Sequence, residues 1–158
     1  AIVAARQAGA AILTQASAIG VVERKGDGSP LTRADRAAHE AACASLAASG
    51  VPVVSEEGED LLLSAQEYWL VDPLDGTKDF LAGNGEFTVN IALIRDQAPV
   101  LGVVLAPARG ELYVGGVGTG CWLEDCDGRH AFTGLPKSTA CRMAGSNPSK
   151  AQILVTPA

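Results

Sequence analysis

The hydrophobic period of the chain changes once, near Gly50, and this change restricts the fold more than any other feature. Before it, residues 2–18 keep the spacing of a helix, and Thr32-Arg-Ala-Asp35 predicts the capping box of a second helix. After it, short apolar runs alternate with polar or glycine-bearing joints, as in an antiparallel meander. Two helices followed by strands predict an α+β fold, with both helices packed on a large antiparallel sheet. The predicted strands are residues 51–55, 68–72, 87–95, 100–106, 111–115, 120–123 and 152–156.

Length and charge exclude several classes of protein. The 158 residues are the size of one ordinary domain. A net charge of −6 argues against a nucleic-acid polymer or an anionic membrane surface as the main partner. No apolar run reaches the roughly 18–20 residues of a membrane-spanning helix. Arg6 and Gln7 interrupt the Ala-rich start, so we predict no signal peptide and expect a cytoplasmic protein, with peripheral attachment at the inner membrane left open.

The cysteines are Cys43, Cys121, Cys126 and Cys141, and none of them forms a CxxC pair. This spacing favours inert or buried thiols in a reducing compartment over a disulfide framework. The alternative is a zinc site formed by Cys121, Cys126, His130 and Cys141. Its irregular spacing, and the place of Cys121 in a strand-like run, argue against it.

The most informative segment carries two carboxylates just after an apolar strand. Asp72 and Asp75 stand three residues apart across Pro73, where a turn would return both to one side. Converging carboxylates suit Mg²⁺, which prefers oxygen ligands. Gly76 and Thr77 follow, and free backbone N–H groups with a hydroxyl suit a phosphate. The segment therefore predicts a phosphoryl-transfer site rather than a simple turn capped by Asp side chains.

Two further acids have alternative interpretations on local evidence. Glu56 follows another short strand and either lies beside Asp72 at one sheet edge or belongs to a solvated acidic loop with Glu57, Glu59 and Asp60. Asp35 either only caps its helix, which the local pattern favours, or also points toward a catalytic water.

Four strings of residues, 27–35, 53–57, 69–80 and 85–94, resemble in order and spacing the inositol monophosphatase superfamily of Mg²⁺-dependent, lithium-sensitive phosphatases. The string Asp72-Pro-Leu-Asp-Gly-Thr77 is the most specific of them. Lys78-Asp-Phe80 and Gly85-Glu-Phe-Thr-Val-Asn90 are similar to the bacterial 3′(2′),5′-bisphosphate nucleotidase branch rather than to the inositol branch. The resemblance extends over about residues 1–156 and implies the N-terminal part of a layered αβαβα fold.

The resemblance implies roles for particular residues. Four oxygen donors would bind metal: the carboxylates of Glu56, Asp72 and Asp75 and the backbone carbonyl of Leu74. Three residues would contact the phosphate: Asp75, Gly76 and Thr77. Three would orient or activate the attacking water: Thr32, Asp35 and Thr77. Two would support the site from outside it: Glu57 and Lys78.

The resemblance also implies a reaction. Two or three Mg²⁺ ions, with Li⁺ inhibitory, would promote attack of water on the 3′-phosphate of adenosine 3′,5′-bisphosphate, or of its 5′-phosphosulfate form, in sulfur assimilation. The alternatives are an inositol monophosphatase, a sugar bisphosphatase or a non-catalytic remnant of the fold. A haloacid-dehalogenase-like phosphatase fits less well, because its two Asp residues stand two apart and one of them becomes a phospho-aspartate.

The resemblance leaves one part of the family pattern unmatched. A Trp-Asp-x-x-Ala-Gly motif, whose Asp completes the second metal site, has no match in residues 1–158. We therefore expect residues 1–158 to be an incomplete N-terminal metal-binding domain that lacks the C-terminal α/β part and has weak or no phosphatase activity. We also expect the missing half, or an oligomer partner, to cover an exposed apolar face of the sheet.

Overall fold

The computed structural model describes residues 1–16, 23–24, 30–58, 65–118, 120–131, 142–144 and 152–154. The helices are α1 (Ile2–Gln15), α2 (Arg33–Ala47) and α3 (Thr77–Ala82). The strands are β1 (Glu23–Arg24), β2 (Pro30–Leu31), β3 (Val53–Ser55), β4 (Glu67–Asp75), β5 (Thr88–Arg95), β6 (Ala98–Ala106), β7 (Glu111–Gly116), β8 (Gly120–Asp125), β9 (Gly128–Ala131), β10 (Arg142–Ala144) and β11 (Gln152–Leu154).

The two long helices pack against each other and against one face of the sheet. Their buried residues are mostly small: Ala4, Ala5, Ala8, Ala34, Ala38 and Ala42. Small side chains let the two backbones approach closely, and this explains the Ala-rich composition of both segments. The predicted capping box of α2 is confirmed, because the Thr32 hydroxyl accepts from Asp35 N while the Asp35 carboxylate accepts from Thr32 N.

Seven strands form the main sheet in the order β3-β4-β5-β6-β7-β8-β9. The predicted α+β architecture and the meander from β5 to β9 are confirmed. The sheet is mixed rather than wholly antiparallel, because β3 runs parallel to β4 at the edge. Residues 56–66, which join these two strands, make a connection too long for a tight hairpin.

Some boundaries differ from the predicted ones. Strand β4 continues through Pro73 to Asp75 instead of ending at Asp72. Strands β1, β2, β9 and β10 were not predicted, whereas β11 lies within the predicted strand 152–156. Several positions that the predictions included lie outside the described residues: 17–18, 27–29, 59–60, 155–156 and Cys141.

Side chains on both faces of the central strands are buried. Val71, Val89 and Ile91 face the helical layer, whereas Leu70 and Ala92 belong to a second cluster with Val54 and Ile94 on the opposite face. Alternation along a strand therefore assigns each polar residue at the strand ends to one face or the other. Among the described residues, the large apolar side chains that are exposed are Val3 and Leu13 of α1 and Val117, so the expected exposed apolar face of the sheet is not seen in this part of the chain.

Side-chain contacts around Glu124 connect α1 to the last strands of the main sheet. Arg6 of α1 pairs with Glu124 of β8, and Arg129 of β9 bonds the same carboxylate at 3.2 Å while lying 4.0 Å from the ring centroid of Trp122. The helical layer is thereby joined to the far strands of the sheet.

Within the described part of the chain, none of the helices combines the length and the apolar character needed to cross a membrane.

Candidate active site

Asp72 and Asp75 lie on the same face of β4 because the strand carries a β-bulge between them. Asp72 is opposite Asn90 and Asp75 is opposite Thr88, so β4 has one residue more than β5 over this stretch. Residues three apart on a regular strand would point to opposite faces. The extra residue brings both carboxylates to one face, and Pro73 is tolerated because a bulge needs no ladder N–H there. The predicted turn at Pro73 was therefore wrong, but both carboxylates reach one face of the sheet as predicted. Among the described residues, Glu56, Asp72 and Asp75 do not form a group whose ligand atoms all lie within 4.8 Å of one another.

Glu56 reaches the same end of the sheet through the parallel pairing of β3 with β4. Ser55 pairs with Val71, and Glu56 N donates to the Val71 carbonyl at 3.0 Å. Continuing this register by one residue places Glu56 next to Asp72. Leu70, two residues before Asp72 on β4, belongs to the second cluster, so Asp72 extends toward that face. Glu56 itself is exposed in the turn that follows β3. The structure thus agrees with both interpretations of Glu56, because the residue is next to Asp72 in register and is also exposed in a turn.

Asp35 is completely buried, and its two carboxylate oxygens bind different partners. Oδ2 accepts from Thr32 N at 2.7 Å and from Thr32 Oγ1 at 2.6 Å. Oδ1 accepts from the Thr77 hydroxyl at 3.1 Å. The two interpretations of Asp35 are thus compatible, because one oxygen closes the helix cap and the other holds the site threonine.

Gly76 connects β4 to α3 in a conformation that favours glycine. Its φ is +87°, and a Cβ there would lie 2.9 Å from the Glu86 carbonyl oxygen. The left-handed residue turns the chain so that α3 begins at Thr77 directly after Asp75. Thr77 is consequently held at the start of α3, where backbone N–H groups have no intrahelical partner.

The remaining predicted residues occupy the surroundings of the carboxylates. The Leu74 side chain packs in the core, and its carbonyl lies 3.3 Å from the Thr77 hydroxyl. Because that hydroxyl has one proton and Asp35 Oδ1 is nearer, the Leu74 carbonyl keeps acceptor capacity for a cation. Glu57 is half-buried and Lys78 is exposed on α3.

Asn90 is a site residue that the sequence reasoning missed. It is 2 % exposed, and its Nδ2 lies 3.3 Å from Asp75 Oδ2. Its Oδ1 is buried without a hydrogen-bond partner in the described structure. The available signal was its place in β5, because Asn90 is a polar amide within a run of apolar residues that are buried.

A second contact that the sequence reasoning missed involves Ser55, the residue directly before Glu56. His39 Nδ1 is 2.8 Å from Ser55 Oγ, which joins α2 to the end of β3. The Cys43 sulfur is 3.7 Å from the same ring nitrogen, and burial raises the pKa of the Cys43 thiol. Helix α2 therefore contacts Thr77 through Asp35 and, one turn later, contacts the end of β3 through His39.

The zinc alternative gains no support from the described residues. The carboxylates of Asp125 and Asp127 and the Cys126 sulfur lie within 4.8 Å of one another in the β8–β9 turn, but this group is largely exposed and lacks Cys121. His130 bonds Asp125 Oδ1 at 3.1 Å. The turn is a solvated acidic hairpin.

The carboxylate site fits Mg²⁺ on two grounds. Every candidate ligand is an oxygen, from Glu56, Asp72, Asp75 and the Leu74 carbonyl, and such a set suits a hard cation. The buried Asn90 Oδ1 beside them also lacks a donor, which a hydrated cation would bring.

Comparison with known proteins gives one consistent family. A model of the inositol monophosphatase family matches residues 1–156. The 3′(2′),5′-bisphosphate nucleotidase CysQ of Escherichia coli (strain K12) is 50% identical over 110 residues, which are 66% of this chain and 44% of that protein.

Two solved structures agree with this result. CysQ from Bacteroides thetaiotaomicron, described as a bacterial member of the inositol monophosphatase family, has a TM-score of 0.67 and 44% identity, over 79% of this chain and 47% of that one. The extragenic suppressor protein suhB from Bartonella henselae has a TM-score of 0.72 and 31% identity, over 78% of this chain and 49% of that one. The chain thus spans about half the length of the relatives that it matches.

Proposed function

The chain belongs to the inositol monophosphatase family, and on that premise we propose that it is the metal- and phosphate-binding part of a Mg²⁺-dependent 3′(2′),5′-bisphosphate nucleotidase. The reaction would be hydrolysis of the 3′-phosphate of adenosine 3′,5′-bisphosphate, or of its 5′-phosphosulfate form. The choice of a nucleotide rests on relatives named 3′(2′),5′-bisphosphate nucleotidase CysQ that are 47–50% identical. We place this reaction in sulfur assimilation in the cytoplasm.

The observation that carries the proposal is that Asp72 and Asp75 share one face of β4, while β3, the strand paired with it, ends directly before Glu56. The parallel β3–β4 pairing supplies Glu56, and the bulge in β4 supplies Asp72 and Asp75. Three acids on an acidic protein do not attract an anionic phosphate by themselves, so they need a cation between them and the substrate. When bound, Mg²⁺ would neutralise phosphate oxygens and make water a better nucleophile.

The protein's own groups would orient the nucleophile. Thr77 Oγ1 donates its proton to Asp35 Oδ1, so its lone pairs remain to accept a proton from the attacking water. Asp35 cannot rotate freely, because Thr32 N and Thr32 Oγ1 hold its other oxygen. A fixed acceptor at the water is the role of a general base and its orienting partner. This mechanism forms no covalent phospho-enzyme.

The phosphate would bind at the junction of β4 and α3. Gly76 brings the first N–H groups of α3 next to Asp75, and these donors suit phosphate oxygens as negative charge develops. Lys78, exposed on the same short helix, would add positive potential. We propose that the nucleoside is recognised mainly by sequence outside this half of the family pattern.

The test is a phosphate-release assay in Mg²⁺. Adenosine 3′,5′-bisphosphate is compared with inositol 1-phosphate, each with and without Li⁺, for the wild-type chain, Asp72→Asn and Asp96→Asn. Asp96 lies in the β5–β6 turn away from the site and is the matched control. We expect release that favours the bisphosphate, that Li⁺ and Asp72→Asn suppress, and that Asp96→Asn leaves unchanged.

Two results would contradict the proposal. Preference for inositol 1-phosphate would favour the inositol branch instead. Release that Asp72→Asn leaves unchanged would show that the carboxylates are not the catalytic metal site.

A further inference from the structure

Resting on the proposed function, we propose that Asn90 belongs to the metal site as a positioning residue. Its Nδ2 would orient the Asp75 carboxylate, and its Oδ1 would accept a hydrogen bond from the hydration shell of Mg²⁺. Neither the sequence motifs nor the family resemblance assigns a role to this side chain. The assignment depends on the position of Asn90, on the orientation of its amide and on its one unpartnered atom.

The position of Asn90 follows from the strand register. Asn90 lies directly opposite Asp72 in the antiparallel β4–β5 pair. Side chains of directly opposed residues share a face, with Cβ atoms about 4.5–5.5 Å apart. The bulge brings Asp75 to that face as well, and Asn90 Nδ2 lies 3.3 Å from Asp75 Oδ2. Asn90 is therefore next to both carboxylates.

The orientation of the amide follows from its neighbour. The two ends of an Asn side chain are assigned from their partners. A carboxylate oxygen accepts hydrogen bonds, so the end 3.3 Å from Asp75 must be the NH₂ group and not the carbonyl oxygen. The carbonyl oxygen of Asn90 is consequently directed elsewhere, and it is the buried atom that lacks a partner.

An unpartnered buried acceptor is unfavourable, and an apolar side chain of similar shape would avoid that penalty. The residue is 2 % exposed, so bulk water does not satisfy the atom. The missing group is a hydrogen-bond donor beside acidic side chains. Mg²⁺ usually keeps several of its waters when carboxylates bind it, and those waters are donors. A hydrated cation held by Asp72 and Asp75 would supply the missing partner.

The experiment compares Mg²⁺ binding by the wild-type chain, Asn90→Leu and Asn84→Leu, using isothermal titration calorimetry. Asn84 is the matched control, because its Nδ2 also donates to a carboxylate, that of Asp79, but on the exposed surface. Loss of a partner just outside a metal's ligands typically weakens metal affinity roughly 10–100-fold. We expect such a loss for Asn90→Leu and unchanged affinity for Asn84→Leu.

A second readout uses the wild-type chain and does not depend on how the variants fold. The side-chain amide resonances of Asn90 should shift when Mg²⁺ is added, and those of Asn84 should stay in place.

The outcomes separate this inference from the proposed function. If the wild-type chain binds no Mg²⁺, the proposed function and the inference both fail. If the wild type binds Mg²⁺ but Asn90→Leu binds it equally well, or the Asn90 amide does not respond to Mg²⁺, the inference alone is overturned. Should Asn90→Leu fail to fold, the wild-type resonances decide.

Discussion

The hydroxyl of Thr77 lies 3.1 Å from Oδ1 of Asp35, although 42 residues separate the two in sequence. This contact joins the first turn of α2 to the start of α3. It also joins the cap of a helix to the residue that we propose orients the attacking water. A stabilising interaction and a catalytic one therefore share a single buried carboxylate.

The Thr77 hydroxyl should be needed for turnover and dispensable for metal binding. We expect Thr77→Val to lower kcat by about 10²–10⁴-fold, which is the usual contribution of a positioned proton acceptor. Phosphate release at saturating Mg²⁺, with Mg²⁺ affinity measured in parallel, checks this. A matching loss of Mg²⁺ affinity would show that Thr77 acts through the metal ligands instead.

Thr32 should stabilise the fold through its cap. Thr32→Ala removes the acceptor for Asp35 N and one donor to the buried Asp35 carboxylate. We expect the free energy of unfolding to fall by about 1–2 kcal/mol, as measured by urea denaturation. Thr14→Ala is the control, because the exposed Thr14 hydroxyl donates only within α1, to the Ala10 carbonyl. Equal losses in the two variants would contradict the cap assignment.

Gly76 and Gly83 test whether the junction before α3 is sterically restricted. Both have positive φ, but an added Cβ would approach Glu86 O to 2.9 Å at Gly76 and would meet nothing within 4 Å at Gly83. Gly83→Ala should cost about 1 kcal/mol for its backbone conformation. Gly76→Ala should cost clearly more by the same urea measurement, because Glu86 and Phe87 must also move. Equal costs would mean that the junction relaxes freely.

The His39–Ser55 contact should couple α2 to the strand that carries Glu56. A double-mutant cycle of His39→Ala and Ser55→Ala should give a coupling energy of about 0.5–1.5 kcal/mol in unfolding free energy. A parallel cycle of Cys43→Ala with Ser55→Ala should give a coupling near zero, because the Cys43 sulfur contacts the His39 ring rather than the Ser55 hydroxyl. Equal coupling in both cycles would show general repacking rather than a specific hydrogen bond.

The cysteines should differ in reactivity in the direction of their burial. Burial raises the pKa of Cys43, so its thiolate fraction at pH 8 is smaller than that of an ordinary thiol, and the fraction grows as the pH rises. Cys126 is exposed in the β8–β9 turn. Alkylation by iodoacetamide, followed by peptide mass spectrometry, should modify Cys126 first at pH 8. Faster modification of Cys43 would contradict the described burial.

Local sequence was sufficient for the features that depend on neighbouring residues. The capping box of α2 follows from residues three apart, and the strand before Asp72 follows from its apolar composition. Asp72 and Asp75 were also expected to converge, although the means is a bulge within a continuous strand rather than a turn. Spacing cannot distinguish the two, because only the register with β5 reveals the extra residue.

The features that sequence could not supply depend on long-range pairing. Local evidence left Glu56 either in a loop or at a ligand position, and only the parallel register of β3 with β4 shows that its strand ends beside Asp72. Asn90 looked like one polar residue within an apolar strand until its opposite neighbour was known. His39 likewise gains its partner from the packing of α2 on β3.

The central claim is that Glu56, Asp72 and Asp75 together hold Mg²⁺. Calorimetric titration of the wild-type chain, Asp75→Asn and Asp96→Asn with Mg²⁺ tests it most directly. We predict saturable binding by the wild type and Asp96→Asn, and binding weakened at least about tenfold in Asp75→Asn. Equal affinity in all three proteins, or no binding by the wild type, would contradict the claim.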